Sequence, residues 1–198
     1  MMVIGITGPT GSGKTTALEE LKKRNFQVVD CDRLYYELLR TDEELRRQLT
    51  DAFGPVFLSD GELDRAALSA KVFGNQKELD KLNRIVYPAV RGAVERKLAC
   101  CKQPGFVIDA INLIESGMGE RCDATFAITA PPEVRLKRIM VRDGITEEYA
   151  RSRIAAQKPD SFYRKRCTMV LENRAGSREE FERLIREFFT DYLEDMEG

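Results

Sequence analysis

The chain has 198 residues, with 32 basic and 33 acidic side chains and no histidine. This length suits one domain, or one core with inserted subdomains, and the 42% hydrophobic content is too high for a disordered chain. The lack of histidine excludes mechanisms that need an imidazole base, and a net charge of -1 argues against binding nucleic acid or an anionic membrane through bulk charge.

Short apolar, β-rich runs alternate with longer helical stretches along the chain. In chain order, the predicted elements are strand Val3–Thr7, helix Lys14–Arg24, strand Gln27–Asp30, helices Arg33–Leu39, Asp42–Phe53, Asp64–Phe73 and Gln76–Cys101, strands Phe106–Ala110 and Thr125–Ala130, helices Pro132–Arg142 and Thr146–Gln157, strand Thr168–Glu172 and helix Arg178–Tyr192. Apolar strands that alternate with helices are typical of a parallel sheet covered on both faces. The stretch between Asp30 and Phe106 is too long for a simple crossover, so it is predicted to hold a helical insertion beside the sheet.

Residues 8–15 read Gly-Pro-Thr-Gly-Ser-Gly-Lys-Thr and fit the pattern G-x-x-x-x-G-K-S/T without deviation. This phosphate loop follows a predicted strand and opens a predicted helix, which is the context that the motif requires. Its glycines let the backbone approach a phosphate without Cβ clashes, and its amides face the anion together with the positive end of the helix. The pattern therefore predicts nucleotide binding, with Lys14 on the β- and γ-phosphates, the Thr15 hydroxyl on Mg²⁺ and Thr16 at the α-phosphate. The predicted nucleotide-binding residues are Gly8, Gly11, Ser12, Gly13, Lys14, Thr15 and Thr16.

A phosphate loop alone does not distinguish kinases from other nucleotide-binding proteins. The chain has no N/T-K-x-D motif, on which guanine specificity usually rests, and no LSGGQ-like signature of transporter ATPases. Residues 133–166 carry ten basic and five acidic side chains, which suits either a solvated helix surface or a surface that handles polyphosphate. These features favour a small-molecule kinase with an insertion for the acceptor and an arginine-rich lid.

Three carboxylates lie at the ends of predicted strands. Asp30 and Asp32 come at the carboxyl end of the second strand, the edge where open α/β sheets place their ligands. Either of them can cap the helix that follows, or Asp32 orients the acceptor hydroxyl and takes its proton, because no histidine is present to do so. Asp109 ends a run similar to a Walker B strand and is predicted either to hold Mg²⁺ through water or to cap the strand end.

Several segments of the chain together resemble the dephospho-CoA kinase family. Residues 5–16 resemble the opening GLTGGIGSGKST of that family, and Val28-Val29-Asp30-Cys31-Asp32 resembles its VIDAD. Further likenesses follow in the same order over nearly the whole chain: residues 61–73 resemble G-x-L-x-R-x-x-L…VF, 82–88 resemble LNxIxHP, 138–146 resemble the R-x-x-x-R-D lid, 153–157 resemble RxxxQ and 171–173 resemble a late strand that ends in Asn. Their order and spacing are far more specific than the phosphate loop alone.

The resemblance implies ATP-dependent phosphorylation of the ribose 3′-hydroxyl of dephospho-CoA, which yields CoA and ADP in the last step of coenzyme A biosynthesis. It implies a P-loop kinase fold, α/β in three layers, with a five-stranded parallel sheet. The chain then forms one domain with a core of residues 1–32, 102–134 and 166–198, a helical acceptor-binding insertion at 33–101 and a lid at 135–165. ATP and Mg²⁺ are the expected cofactors, and dephospho-CoA and ATP the expected small-molecule substrates.

The resemblance also implies roles for individual residues. Arg138 and Arg142 lie four residues apart on one helix face and are expected either to close over the transferring phosphoryl group or to form structural salt bridges. Asn173 is expected near the adenine. Contacts with acceptor phosphates are expected of three arginines that are otherwise surface residues: Arg65, Arg84 and Arg91. The predicted catalytic residues are Asp32, Lys14, Arg138 and Arg142, and the predicted metal ligands are Thr15 and Asp109.

The chain departs from the family pattern at two places and leaves two alternatives open. Tyr87 stands where the family has histidine, and Asn112 stands in a segment that reads PLL-x-E in the family. Both changes bear on acceptor recognition and not on the phosphate loop. One alternative is therefore a kinase of the same architecture that acts on a nucleoside monophosphate or another small alcohol. The other is a non-catalytic nucleotide-binding regulatory module.

The cysteines and the apolar pattern bear on location. The five cysteines show no CxxC spacing, which is expected of free thiols in a reducing compartment and not of a disulfide framework or a metal site. No apolar stretch is long enough to span a bilayer, and the first residues do not read as a signal peptide. A cytoplasmic protein is expected, acting as a monomer or weak homo-oligomer, without nucleic-acid or membrane partners.

Overall fold

A computed structural model describes residues 1–197 of the chain. Its strands are β1 (Met2–Thr7), β2 (Phe26–Asp30), β3 (Gly105–Asp109), β4 (Ala124–Thr129) and β5 (Met169–Glu172). Its helices are α1 (Lys14–Lys23), α2 (Cys31–Thr41), α3 (Glu43–Phe53), α4 (Arg65–Val72), α5 (Gln76–Ala99), α6 (Pro132–Asp143), α7 (Glu147–Ala155), α8 (Asp160–Arg164) and α9 (Arg178–Glu197), with a short 3₁₀ turn at Met118–Arg121. No helix within residues 1–197 combines the length and the apolar character needed to cross a bilayer.

The five strands form one sheet in the order β2-β3-β1-β4-β5. The central strand β1 runs parallel to β3 on one side and to β4 on the other, and β4 runs parallel to β5. The register places Ile6 beside Asp109 and Thr7 beside Ala127. The prediction of a five-stranded parallel sheet in an α/β fold is confirmed, and the phosphate loop leaves the sheet from its central strand.

The chain divides into two compact units. The first comprises Met1–Val28 and the chain from Lys102 onward, and the second comprises Val29–Cys101. The predicted insertion at 33–101 falls within the second unit, and the predicted lid at 135–165 falls within the first.

The first unit is organised around the sheet. Ile4 and Ile6 of β1 point to the same face, as alternate strand residues do, and pack with Phe126 of β4 under α1 and α9. Phe126 is fully buried and meets Phe189 of α9 edge to face at a centroid distance of 5.6 Å. Residues that point to the opposite face, such as Phe106, are buried as well. Burial on both faces explains why these strands read as continuous apolar runs.

The second unit consists mainly of four helices, with α2, α3 and α4 all packed against the long helix α5. Leucines four residues apart lie on the buried faces of α2 (Leu34 and Leu38) and α3 (Leu45 and Leu49). Each helix begins at a side-chain cap, in which the oxygen of the residue before it accepts from a backbone N–H three residues on. The capping residues are Asp30, Asp42, Asp64 and Asn75.

Several predicted element boundaries differ from the structure. Helix α2 begins at Cys31 and not at the predicted Arg33, because Asp30 caps it and so starts the helix directly after the strand. Helix α9 continues past the predicted end at Tyr192 to Glu197, through residues that favour helix. Helix α8 and the 3₁₀ turn are not predicted, since elements of four or five residues are too short to show an amphipathic repeat.

Candidate active site

The phosphate loop is built on glycines that no other residue can replace without strain. Gly8 has φ +126°, and a Cβ placed on it would lie 2.1 Å from the carbonyl oxygen of Ile128 in β4. Gly13 has φ +107°, and a Cβ there would lie 2.7 Å from Nδ2 of Asn173. The loop is therefore wedged against β4 and against the residue that follows β5.

The phosphate loop ends at the N-terminus of α1, where the Lys14 ammonium and the first backbone N–H groups of the helix are hydrogen-bond donors. Lys14 folds back over the loop and donates from Nζ to the carbonyl oxygens of Gly8 at 2.7 Å and Pro9 at 3.1 Å. Within the described residues, no side chain caps the N-terminus of α1 and no acid occupies its first turn, so the positive end of the helix stays available to an anion. Thr15 is exposed at this end and Thr16 is partly exposed.

The two predicted lid arginines contact the phosphate loop from helix α6. Arg138 donates from Nη1 to the carbonyl oxygens of Gly11 and Ser12, both at 3.3 Å. Arg142 donates from Nη2 to the hydroxyl of Thr10 at 3.2 Å. The structure thus brings the lid arginines and the loop together.

Arg142 also takes part in an ion-pair cluster around Asp143. Both oxygens of the Asp143 carboxylate accept from Arg142, at 2.6 and 3.0 Å, and Oδ2 also accepts from Arg153 at 2.6 Å. Hydrogen bonds from Arg142 and then Arg153 hold the pKa of Asp143 well below its usual range. A folded-state pKa below the unfolded one means that this contribution to stability is present at neutral pH and is lost only as the pH falls through the depressed pKa.

Asn173 is only 2% exposed and lies against the loop. Its Nδ2 donates to the carbonyl oxygen of Ser12 at 2.9 Å, and its backbone N–H donates to the carbonyl of Thr129 in β4 at 2.7 Å. The contact in the structure is with the backbone of the phosphate loop, while a contact with adenine stays a prediction.

Neither Arg135 nor Gln157 is predicted as a site residue from the sequence, and both bond to the phosphate loop. Arg135 donates from Nε to the carbonyl oxygen of Thr10 at 3.0 Å. Gln157 accepts from the backbone N–H of Thr10 at 3.2 Å. The available signal for Arg135 is its spacing, because residues 135, 138 and 142 are all arginine and fall on one face of a helix.

Asp109 lies at the carboxyl end of β3, and its register partner in β1 is Ile6, two residues before the loop. Just beyond it, the hydroxyl of Thr7 donates to the carbonyl of Ile111 at 3.0 Å. Asn112, one of the two departures from the family pattern, is exposed in the segment that follows β3. The phosphate loop and Asp109 thus leave neighbouring strands at the same edge of the sheet.

In the second unit, the structure shows which of the two acids at the end of β2 caps helix α2. Asp30 is the helix cap, accepting from the backbone N–H of Arg33 at 2.9 Å. Asp32 lies in the first turn of α2 with an exposed side chain. The capping role therefore belongs to Asp30, and the catalytic role of Asp32 stays a prediction.

Arg65 is the first residue of α4, and its guanidinium carbon lies 4.4 Å from the centroid of the Tyr36 ring. Burial, and then the neighbouring Tyr36, raises the pKa of Tyr35 to about 12, so this phenol stays neutral.

The other acceptor candidates and Tyr87 lie on α5. Arg84 and Arg91 are exposed and seven residues apart, so they share one face of the helix. Tyr87 is half-buried directly before Pro88 in the same helix. The roles of Arg65, Arg84 and Arg91 in acceptor binding stay predictions.

The central strand of the parallel sheet runs into a glycine-rich loop and an uncapped helix, and arginines of a later helix bond to that loop. This arrangement defines a P-loop kinase. The chain belongs to the dephospho-CoA kinase family, whose model matches residues 2–179. The resemblance drawn from the sequence is thus confirmed, and the chain belongs to an enzyme family of ATP-using transferases.

Individual relatives support this assignment. A dephospho-CoA kinase of Geobacillus kaustophilus is 39% identical over 188 residues, which cover 93% of each chain. The crystal structure of TT1252 from Thermus thermophilus has a TM-score of 0.77 and 34% identity, covering 98% of this chain and 97% of that one. A shikimate kinase of Bacteroides thetaiotaomicron, at a TM-score of 0.60, 13% identity and 98% coverage of both chains, shares the fold alone.

Gly8→Ala is expected to weaken ATP binding at least tenfold, because the new Cβ would meet a backbone oxygen that is fixed within the sheet. Isothermal titration with ATP measures the effect. Gly117→Ala is the matched control, since Gly117 has φ +73° but its Cβ would enter open space among the described residues. The control should lose some stability and keep its ATP affinity, and equal affinities in the two variants would contradict this account of the loop.

Proposed function

We propose that this protein transfers the terminal phosphoryl group of ATP to the ribose 3′-hydroxyl of dephospho-CoA, giving CoA and ADP. The observation that carries the proposal is an intact phosphate loop, bonded to two lid arginines, within a family match over residues 2–179. The reaction breaks the bond between the γ-phosphorus and its bridging oxygen and forms a bond to the 3′-oxygen, while the proton of the hydroxyl leaves to a base.

The phosphate loop is proposed to bind ATP through its backbone amides and Lys14. In the structure the Lys14 ammonium is bonded to two loop carbonyls, and ATP binding is proposed to exchange at least one of these partners for a phosphate oxygen. Phosphoryl transfer passes through a loose transition state, for which alignment and charge neutralisation matter more than covalent help. The glycines set the backbone conformation of the loop, so its amides and Lys14 can both align the phosphates and neutralise their charge.

Asp32 is proposed to orient the acceptor hydroxyl and take its proton. Two facts support this choice: the exposed carboxylate of Asp32 follows the carboxyl end of β2, and the neighbouring Asp30 is already used as a helix cap. The chain has no histidine, and an aspartate is the residue that accepts the hydroxyl proton in many kinases.

Arg138 and Arg142 are proposed to neutralise the transferring phosphoryl group and to exclude water around it. Both already reach the loop, and the Arg138 bonds to backbone carbonyls are long, at 3.3 Å, so a phosphate can replace them. Asp143 anchors Arg142 by a two-pronged contact, which keeps its guanidinium near Thr10.

Mg²⁺ is proposed to be held by the Thr15 hydroxyl directly and by Asp109 through water. The described residues contain no cluster of three or more acids, cysteines or histidines that would form a complete metal site. That fits Mg²⁺ with a nucleotide, because this ion takes one or two protein oxygens and completes its shell with phosphates and water. When bound, the ion would neutralise charge on the β- and γ-phosphates.

The acceptor is proposed to bind through the helical unit, with Arg65, Arg84 and Arg91 facing its phosphates. All three are exposed, and Arg65 is partly fixed by stacking on Tyr36. Tyr87 and Asn112 are the positions where acceptor recognition would differ from the family pattern. A cytoplasmic location and a monomeric or weakly associated state stay predictions.

A panel of acceptors tests the proposed function. ADP release from ATP is expected to be much faster with dephospho-CoA than with AMP, CMP or simple alcohols at equal concentration. Phosphorylation should occur at the ribose 3′-oxygen, which phosphorus NMR of the product checks. Faster turnover with a nucleoside monophosphate would reject the acceptor, and no acceptor-dependent ADP release at all would support a nucleotide-binding module instead.

Asp32→Asn is expected to lower kcat by about 10² to 10⁴, because the amide cannot accept the hydroxyl proton. Its ATP affinity, measured by titration without acceptor, should stay within about threefold of wild type. Asp30→Asn is the matched control, two residues away, and should keep nearly full activity because asparagine also caps helices. Unchanged turnover in Asp32→Asn would remove Asp32 from this role.

Asp109→Asn is expected to raise the Mg²⁺ concentration for half-maximal rate about tenfold, since an amide is a weaker partner for metal-bound water than a carboxylate. The measurement is a Mg²⁺ titration of the initial rate at fixed ATP. Asp123→Asn serves as control, because Asp123 accepts from the Val3 N–H at the opposite, amino end of the sheet. An identical Mg²⁺ response in both variants would argue that Asp109 only caps its strand.

A further inference from the structure

Thr10, in the middle of the phosphate loop, has all three of its polar groups bonded to residues of the lid segment. Its backbone N–H donates to Oε1 of Gln157, its carbonyl accepts from Nε of Arg135, and its hydroxyl accepts from Nη2 of Arg142. Thr10 itself is buried, with 7% of its surface exposed.

Arg135 and Gln157 close a ring of hydrogen bonds around Thr10. The Nη2 atom of Arg135 donates to Oε1 of Gln157, the same oxygen that accepts from the Thr10 N–H. The Arg135 guanidinium therefore donates to both the Thr10 carbonyl and the Gln157 side chain. The Gln157 side chain in turn accepts from the Thr10 N–H, which closes the ring. Since the N–H and the carbonyl of one residue belong to successive peptide planes, the ring fixes both planes next to Thr10.

Burying the charged guanidinium of Arg135 costs free energy, which its hydrogen bonds must offset. The residue is 4% exposed, and burial lowers the pKa of its guanidinium, although arginine remains charged at neutral pH. A buried charge is tolerated where hydrogen bonds satisfy it. The backbone of Arg135 also walls the loop, because a Cβ on Gly11 would lie 3.0 Å from the Arg135 carbonyl oxygen.

We propose that Arg135 and Gln157 are positioning residues that hold the two peptide planes at Thr10, and so keep the amides of the phosphate loop aimed at the phosphates before ATP binds. They act through Thr10 and need not touch the nucleotide. Without this pair the N–H and the carbonyl of Thr10 lose their partners, and ATP binding must then order the two peptide planes. This inference rests on the proposed function only in taking ATP as the ligand of the loop.

Two substitutions test the pair by separate routes. Arg135→Lys keeps the positive charge but loses the planar fork that reaches two acceptors at once. Gln157→Leu keeps a similar volume and removes the shared acceptor without changing charge. Each is expected to raise the Kd for ATP about tenfold, which corresponds to the loss of one charge-assisted hydrogen bond.

The Kd is measured by isothermal titration of the full chain with ATP and no acceptor, alongside the melting temperature without nucleotide. Arg151→Lys is the matched control. Arg151 lies on α7, and among the described residues its ion pairs are with the exposed Glu147 and Glu133. Its ATP affinity should equal that of wild type.

An ATP Kd within about twofold of wild type in either test variant overturns the proposal, whatever happens to its melting temperature, because each change breaks the ring. The same rise in Arg151→Lys also overturns it, since a general effect of the lid segment would then explain the result. If Arg135→Lys does not fold, the ATP Kd of Gln157→Leu tests the proposal alone, since Gln157 is only half-buried and its replacement is less disruptive. Because no acceptor is present, failure here leaves the acceptor panel unaffected, and failure of that panel leaves this test intact.

Discussion

The close approach of the phosphate loop to β4 is the contact on which the rest of the site depends. At Gly8 only a hydrogen atom fits between the loop backbone and the carbonyl of Ile128. Because β1 and β4 are parallel neighbours, that contact fixes the loop at the carboxyl edge of the sheet. Every other donor of the site in the first unit, from Lys14 at the start of α1 to Arg138 on α6, is placed relative to a loop held in this way.

Much of the fold and the centre of the site follow from local sequence patterns. The parallel sheet was predictable because its inner strands β1, β3 and β4 are buried on both faces and therefore read as apolar runs. The phosphate loop was predictable because its chemistry demands glycine and lysine at fixed spacing. What could not be predicted depends on distant contacts: Arg135 and Gln157 lie 22 residues apart, and they bond to each other and to Thr10, more than 120 residues earlier in the chain. From the sequence either Asp30 or Asp32 can cap helix α2, because the choice depends on the backbone geometry at the start of that helix.

The residues with proposed roles fall into both units. The first unit carries the phosphate loop, the lid arginines and Asp109, all of which are proposed to concern the nucleotide. The second unit carries Asp32 and the exposed arginines of α4 and α5, all of which are proposed to concern the acceptor. Departures from the family pattern at Tyr87 and Asn112 lie outside the phosphate loop, and they are proposed to bear on acceptor recognition and not on phosphate binding.

The carbonyl of Ser12 accepts hydrogen bonds from both Arg138 and Asn173. A peptide bond is a conjugated unit, so electron density drawn toward its oxygen is withdrawn from its nitrogen, and the N–H of Gly13 becomes a more acidic and stronger donor. A side chain bonded to the Ser12 carbonyl can therefore strengthen the hydrogen bond from the Gly13 N–H to an anion without contacting that anion. Asn173 keeps this polarisation in place when Arg138 exchanges the carbonyl for a phosphate oxygen.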